Sequence, residues 1–380
     1  MRTTPWQHFD FLLLGAVAVL TIFGIAMINS TIAGNIELTA SNLPIRQLIF
    51  ALIGFVLIFV VCSIDYHFWA SISGTLYTIT FVTLAVLYIM AATVFGSARW
   101  FTTALVNIQP SELAKIVLIL TQADFFTRHK GQLTQFKWVL RSLLMALGLV
   151  VWVVIQPNLS TSILMMVIWA VLWWACGIEL KHVGYFVLGL VLVVLISIPL
   201  LPSLKKAKII NDYQIRRITN FIQPPKAGEV GARYGDTYNI EQALISIGSG
   251  GWLGQGYGHG TQVQLRFLKV RWSDYIFAAT AEEFGFVGAT LVMLVLLMVI
   301  MRCLRVARLA SDTYGALIAY GVATLIAFQA IVNIGVNLKQ LPATGLPLPF
   351  ISYGGSSLLS LLLGIGLVEA VLVRHKSLEF

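Results

Sequence analysis

Asp274 is the residue best placed to do chemistry. It stands where a glycine-rich polar stretch that begins at Ile247 runs into a long apolar run, and Lys269 and Arg271 lie just before it. A carboxylate at such a seam is costly to bury and reads as a functional group. At the water interface it can release a proton. One carboxylate beside cations suits a general base working near an anionic leaving group. Gly248, Gly250, Gly251, Gly254, Gly256, Gly258 and Gly260 precede it, which predicts a backbone able to fold closely over a ligand. The structural alternative is that Asp274 caps its own helix with Ser273 as partner. Glu282 and Glu283 follow roughly 12 Å deeper along a helix rising 1.5 Å per residue. They read as structural acids that pair with donors from other helices.

Three further stretches are polar or irregular where the chain is otherwise apolar. Arg99-Trp100 leads into Gln109-Pro110-Ser111-Glu112 and Lys115. Pro110 suits a first helical position, and Glu112 then sits in the first turn with Lys115 on the same face. This is either a helix cap with an intrahelical ion pair or the wall of a polar pocket. Gln156-Pro157-Asn158 reads as a tight turn. The segment Leu341 to Ser357 holds Pro342, Pro347 and Pro349, which forbid regular helix, yet it is apolar. Irregular backbone near a membrane must be buried in protein or line a cavity, and a cavity wall beside Asp274 is the expectation here. Tyr238 to Ser249 reads as a short helix stopped by Gly250 and Gly251.

The elements that must hold these residues are membrane spans. The 380 residues are 58% hydrophobic and 11% charged, against about 25% charged in soluble domains. Apolar runs of bilayer length recur at about 11–29, 46–63, 72–94, 110–126, 139–155, 160–177, 183–201, 274–301, 314–336 and 352–373. The expected fold is therefore an all-α polytopic membrane protein. It has ten transmembrane helices in a single integral membrane domain, 1–380, and a large loop, 202–273, between helices 7 and 8. The N-terminal run is long and is followed by many spans, so it reads as a retained helix rather than a cleaved signal. Cys62, Cys176 and Cys303 fit neither a disulfide framework nor a metal pattern. No internal repeat is obvious.

Ten spans put both termini on one side. With the termini in the cytosol, the inner connections hold Arg2, Arg128, Lys130, Lys137, Arg141, Lys181, Arg302, Arg305, Arg308, Arg374 and Lys376, and the short outer ones hold Arg46, Arg99 and Lys339. That bias predicts cytosolic termini and an extracytoplasmic loop 202–273. The loop is basic, and Lys205 to Phe221 can lie on the membrane as an amphipathic helix. It meets either anionic headgroups or an anionic, membrane-held substrate. The net charge of +9 does not indicate nucleic acid, because the bases lie in loops with no soluble module to present them. Gly254-Gln255-Gly256-Tyr257-Gly258 follows no strand, so it is not a nucleotide loop.

The motifs carry the reading further. Gln109 to Lys115 (QPSELAK), Ile247 to Gly254 (IGSGG-x-x-G), Asp274 to Gly285 and Leu341 to Ser357 resemble, in order and nearly end to end, the SEDS family, the RodA/FtsW/SpoVE group. The resemblance implies a peptidoglycan glycosyltransferase of the bacterial plasma membrane that polymerises lipid II on the outer face. Its partner would be a class B penicillin-binding protein, alongside membrane lipids, and a divalent cation (Mg or Mn) would assist at the diphosphate. Asp274 falls on the family's essential acid. The expected substrate contacts are Arg99, Gln109, Glu112, Lys115, Lys269, Arg271 and Ser352. Short termini lean toward the elongation type. Two departures stand out: Lys269-Val270-Arg271-Trp272-Ser273 replaces the family's PE-x-HT, and Gln156 to Thr161 reads QPNLST for QPDLGT. A lipid II flippase and a non-catalytic scaffold are the competing functions. Transport calls for a site near the bilayer midplane.

Overall fold

A chain in hydrocarbon must satisfy its backbone hydrogen bonds within each segment, so apolar runs of bilayer length become helices. The computed structural model describes residues 8–33, 42–94, 101–102, 107–133, 135–177, 184 and 236–375. Among them helices and connecting loops make up the chain, and the strands are one antiparallel pair, β1 (Phe101–Thr102) with β2 (Asn107–Ile108). The helices are α1 (Phe11–Ile32), α2 (Leu43–Ser63), α3 (Tyr66–Ser71), α4 (Ser73–Val94), α5 (Pro110–Arg128), α6 (Phe136–Ile155) and α7 (Leu159–Ala175), then α8 (Asp236–Ser249), α9 (Thr261–Gln264), α10 (Ile276–Leu309), α11 (Thr313–Asn337) and α12 (Gly355–Val373). Among the described residues α1, α2, α6, α10, α11 and α12 are long and apolar enough to cross a membrane. α4 and α7 add shorter apolar stretches, and α5 carries Glu112, Lys115, Asp124 and Arg128. Each expected span coincides with a helix except 183–201. That span, save one position, and residues 202–235, including Lys205 to Phe221, lie outside the described residues.

The bundle is organised about α11 and α12. α12 lies along α2 and α11, and α11 also packs on α5, α7 and α10. α12 is buried on nearly every face, whereas α10 turns Leu291, Leu294, Leu297 and Met301 outward, the apolar surface that lipid covers. At the end where α1 begins, Asp10 ties three helices together. It caps α1 by accepting from the Leu13 N–H at 3.1 Å. It accepts from Arg302 Nε of α10 at 2.6 Å, and its own N–H donates to Glu369 Oε2 of α12 at 3.1 Å.

α10 is not one continuous helix, as the run 274–301 predicted. It breaks at Gly285, with φ 65° and ψ −166°. The break frees backbone groups that must find partners in a dry setting, and the glycine-rich stretch supplies them. Gln255 and Gly256 donate their N–H groups to the carbonyls of Glu282 and Glu283, both at 2.9 Å, and Phe286 N–H donates to Gly251 O at 2.8 Å. Gly250 and Gly254 therefore pack against the α10 backbone, so part of the run expected to fold over a ligand serves the helix break instead. Glu282 and Glu283 serve the same seam, as expected of structural acids. Glu282 Oε1 accepts from Gln262 N–H at 2.6 Å, and Glu283 Oε1 accepts from Ser30 Oγ of α1 at 2.5 Å. Gly285→Ala is expected to destabilise the protein by at least about 1–3 kcal/mol, because that φ/ψ region is essentially glycine-only. A β-carbon there would also stand 2.5 Å from Trp252 O. Thermal unfolding in detergent checks this, and an unshifted midpoint would refute it.

Candidate active site

Asp274 is not the cap of its helix. α10 starts at Ile276 with Tyr275 in the cap position and no side-chain capping bond. The Asp274 backbone is instead clamped from α11. Asn333 Nδ2 donates to its carbonyl at 2.9 Å and Asn337 Nδ2 at 3.1 Å. Asn337 Oδ1 in turn accepts from Ala278 N–H at 3.1 Å. Ser273 Oγ donates to Asp274 Oδ1 at 3.0 Å. A group whose backbone is fixed on both flanks presents its carboxylate in a defined direction, as a positioned base requires.

That carboxylate lines two cavities. The larger, 280 Å³, is formed with Gln109 and Glu112 of the α5 entry, Asn158 and Thr161 of α7, Thr344 to Pro347, Tyr353, Gly354 and Ser357. The smaller, 220 Å³, lies on the other side of Thr344 to Leu346, among Asn239, Val270, Tyr275, Asn333 and Val336. The proline-rich segment is thus a cavity wall, as its composition predicted. It is pinned at several points. Asn333 Nδ2 donates to Leu346 O at 2.8 Å, Ser160 Oγ to Thr344 O at 2.7 Å, and Tyr353 N–H to Trp272 O at 2.9 Å. Gly345 takes φ 74°, and a β-carbon on it would meet Asp274 Oδ2 at 3.6 Å. That contact is an ordinary one, so it is the left-handed backbone at Gly345, beside the carboxylate, that favours glycine.

Helix N-termini converge on this space. α5, α7 and α12 begin at residues that line the larger cavity, and α10 begins two residues after Asp274. Each N-terminus carries about half a positive charge from its aligned peptides and unsatisfied N–H groups. Together they favour carboxylates and a developing anion. Glu112, in the first turn of α5, is buried and accepts from Lys115 Nζ at 2.7 Å, with Lys115 wholly enclosed. The ion pair expected from spacing is therefore present. Glu112 faces the cavity, and Lys115 stands behind it.

The family model described as cell cycle protein, FtsW/RodA/SpoVE, matches residues 10–377. The chain belongs to this family. Its similarity to a probable peptidoglycan glycosyltransferase FtsW of Geobacter sp. (strain M18) is 32% identity over 97% of this chain and 98% of that protein. The stage V sporulation protein E of Bacillus subtilis (strain 168) is 33% identical over 85% of each chain. Among solved structures, RodA of Thermus thermophilus superposes with a TM-score of 0.68 at 25% identity, covering 99% of this chain and 100% of that one. A chain from a peptidoglycan synthase complex that coordinates polymerization and crosslinking reaches 0.76 at 25% identity, covering 97% and 98%. With its apolar helices, this family member is a multi-pass protein of the bacterial plasma membrane.

The residues that resembled the SEDS motifs divide by position. Asp274, Gln109 and Glu112 meet in one cavity. Ser352 is buried and committed to the fold, donating to Ser273 O at 2.7 Å and accepting from Leu348 N–H at 2.8 Å. Arg271 is buried too. Its Nε donates to Thr31 O at the end of α1 at 2.6 Å, and burial, reinforced by the Arg266 charge, draws its pKa below the ordinary arginine value. It lines neither cavity around Asp274. Lys269 is exposed, with its ammonium 5.9 Å from the Tyr238 ring of α8. Arg99 lies outside the described residues. Asn158, in place of the family's acid, caps α7 by accepting from Thr161 N–H at 3.4 Å. Sequence reading passed over Asn333 and Asn337, although two amides one turn apart in an apolar helix mark a polar duty in a dry place.

Proposed function

We propose that this family member is a peptidoglycan glycosyltransferase that polymerises lipid II on the outer face of the plasma membrane. The ten-span topology with cytosolic termini that the Lys and Arg bias favours would put the Asp274 cavity on that face. The observation that carries the reading is the Asp274 carboxylate, on a backbone clamped from α11, in a cavity shared with Glu112 and ringed by helix N-termini. Asp274 takes the proton from the 4-hydroxyl of a GlcNAc. That oxygen bonds to C1 of the MurNAc on the growing chain as the C1–O bond to the diphosphate breaks. Undecaprenyl diphosphate leaves with both electrons of that bond, and inversion gives a β-1,4 link. The helix N-termini offset the charge that grows on the leaving group. Among the described residues no three acidic, histidine or cysteine side chains cluster about a metal position. Asp274 and Glu112, the two carboxylates that line the cavity, are the groups that would hold a hard divalent cation, Mg or Mn, which would supply charge neutralisation at the diphosphate.

The site lies where helices begin rather than at mid-span, which favours chemistry over a flippase. The named relatives above include division and sporulation proteins as well as RodA, so glycan synthesis is proposed without an elongation-specific role. A class B penicillin-binding protein is the proposed partner, in keeping with the synthase complex whose chain superposes on this one. The test is polymerisation of purified lipid II by the detergent-solubilised protein, alone and with that partner, with Mg or Mn present. Long glycan strands are expected. No product under any of these conditions would overturn the reading and leave the flippase or the scaffold.

A further inference from the structure

The N-termini that ring the larger cavity are not equivalent. α5 opens with Pro110, which has no N–H, and carries Glu112 in its first turn. α7 is capped by Asn158. At α10 the Ala278 N–H is taken by Asn337 Oδ1, and Asp274 precedes the helix. α12 differs. Its cap residue is Gly354, with no side-chain capping bond, and its first turn holds no acid. The Gly354 N–H is donated to Gln47 Oε1 at 3.2 Å, and Gly355 lets the turn pack closely on the Phe50 ring, where a β-carbon would clash. Independently of the helix end, Ser357 lines the cavity and is 8% exposed, and its buried hydroxyl has no hydrogen-bond partner. A buried polar group left unsatisfied calls for a ligand or water to complete it. Ser356 beside it is used differently, its Oγ accepting from Gln109 N–H at 3.0 Å.

We propose that the first turn of α12, Gly355 to Ser357, is a phosphate-class anion subsite, with the Ser357 hydroxyl as donor and the diphosphate of the sugar lipid as occupant. The assignment rests on the glycosyltransferase reading and deepens it. An uncapped helix N-terminus with an adjacent hydroxyl is a ready-made site for such an anion. It lies in the same cavity as Asp274, so the leaving group and the base face one space.

The experiment measures binding of undecaprenyl diphosphate to the full-length protein in lipid nanodiscs, by thermophoresis and by thermal unfolding. It compares wild type with Ser357→Thr, Ser357→Ala and Ser357→Asp. Thr is expected to bind like wild type. Ala should bind about three- to tenfold more weakly, the size of one lost hydrogen bond. Asp places its own carboxylate on the helix end. It should therefore raise the unfolding temperature while abolishing binding, and a purely structural role for Ser357 does not produce that opposition. Undiminished binding by Ser357→Asp overturns the proposal. So does a wild type that fails to bind, or binding that phosphatidylglycerol nanodiscs suppress as fully as the diphosphate itself. Wild-type binding without lipid II polymerisation would instead sink the glycosyltransferase reading and leave the subsite standing.

Discussion

Asp274→Asn is expected to lower lipid II polymerisation by about 100- to 10,000-fold, the usual worth of a positioned general base, with little change in unfolding temperature. The two halves of this prediction have separate causes. Asn has the shape of Asp and keeps an oxygen able to accept from Ser273 Oγ, now at 3.0 Å. The clamp from Asn333 and Asn337 holds the backbone carbonyl of residue 274, which the substitution does not touch. Proton acceptance is what is lost, since an amide is no base near neutral pH. Gel analysis of glycan products at matched protein concentration, beside thermal unfolding of both proteins, checks the pair. Equal product from the two would remove Asp274 from the reaction. A collapsed unfolding temperature would mean that the carboxylate supports the fold, and the activity loss would then say nothing about chemistry.

The local features of this site were legible in the sequence because they depend on short-range rules. Pro110 at a first helical position, Glu112 in the first turn and Lys115 three residues on give a helix start and an ion pair. Three prolines in an apolar stretch give a cavity wall. The helices follow from apolar length alone. What escaped depends on which element meets which. Nothing local in the glycine run before Asp274 discloses that α10 breaks at Gly285 and needs partners for its freed backbone groups. Arg271 and Ser352 flank Asp274 or share its motifs, which predicts substrate contacts and does not disclose their partners in the fold. In space one reaches the end of α1, and the other fastens Ser273 to the wall. The convergence of four helix starts on one cavity is likewise a property of packing, and no window of sequence contains it.

Lys115→Met carries the largest expected cost in stability. The Lys115 side chain is wholly enclosed and Glu112 nearly so, with 2.7 Å between their charged atoms. Two charges taken out of water repay their desolvation only through each other, so removing one partner leaves a buried carboxylate uncompensated, at about 3–5 kcal/mol. Thermal unfolding should show a large fall for Lys115→Met and a much smaller one for Lys115→Met combined with Glu112→Gln, because that pair leaves no buried charge. Equal falls in both would mean that the lysine acts through packing of its stem rather than through its charge. The double variant also separates stability from function. Glu112 lines the cavity with Asp274 and Lys115 does not. A protein that regains stability but not polymerisation would therefore place the Glu112 charge in the working site, while recovery of both would confine the pair to holding the first turn of α5.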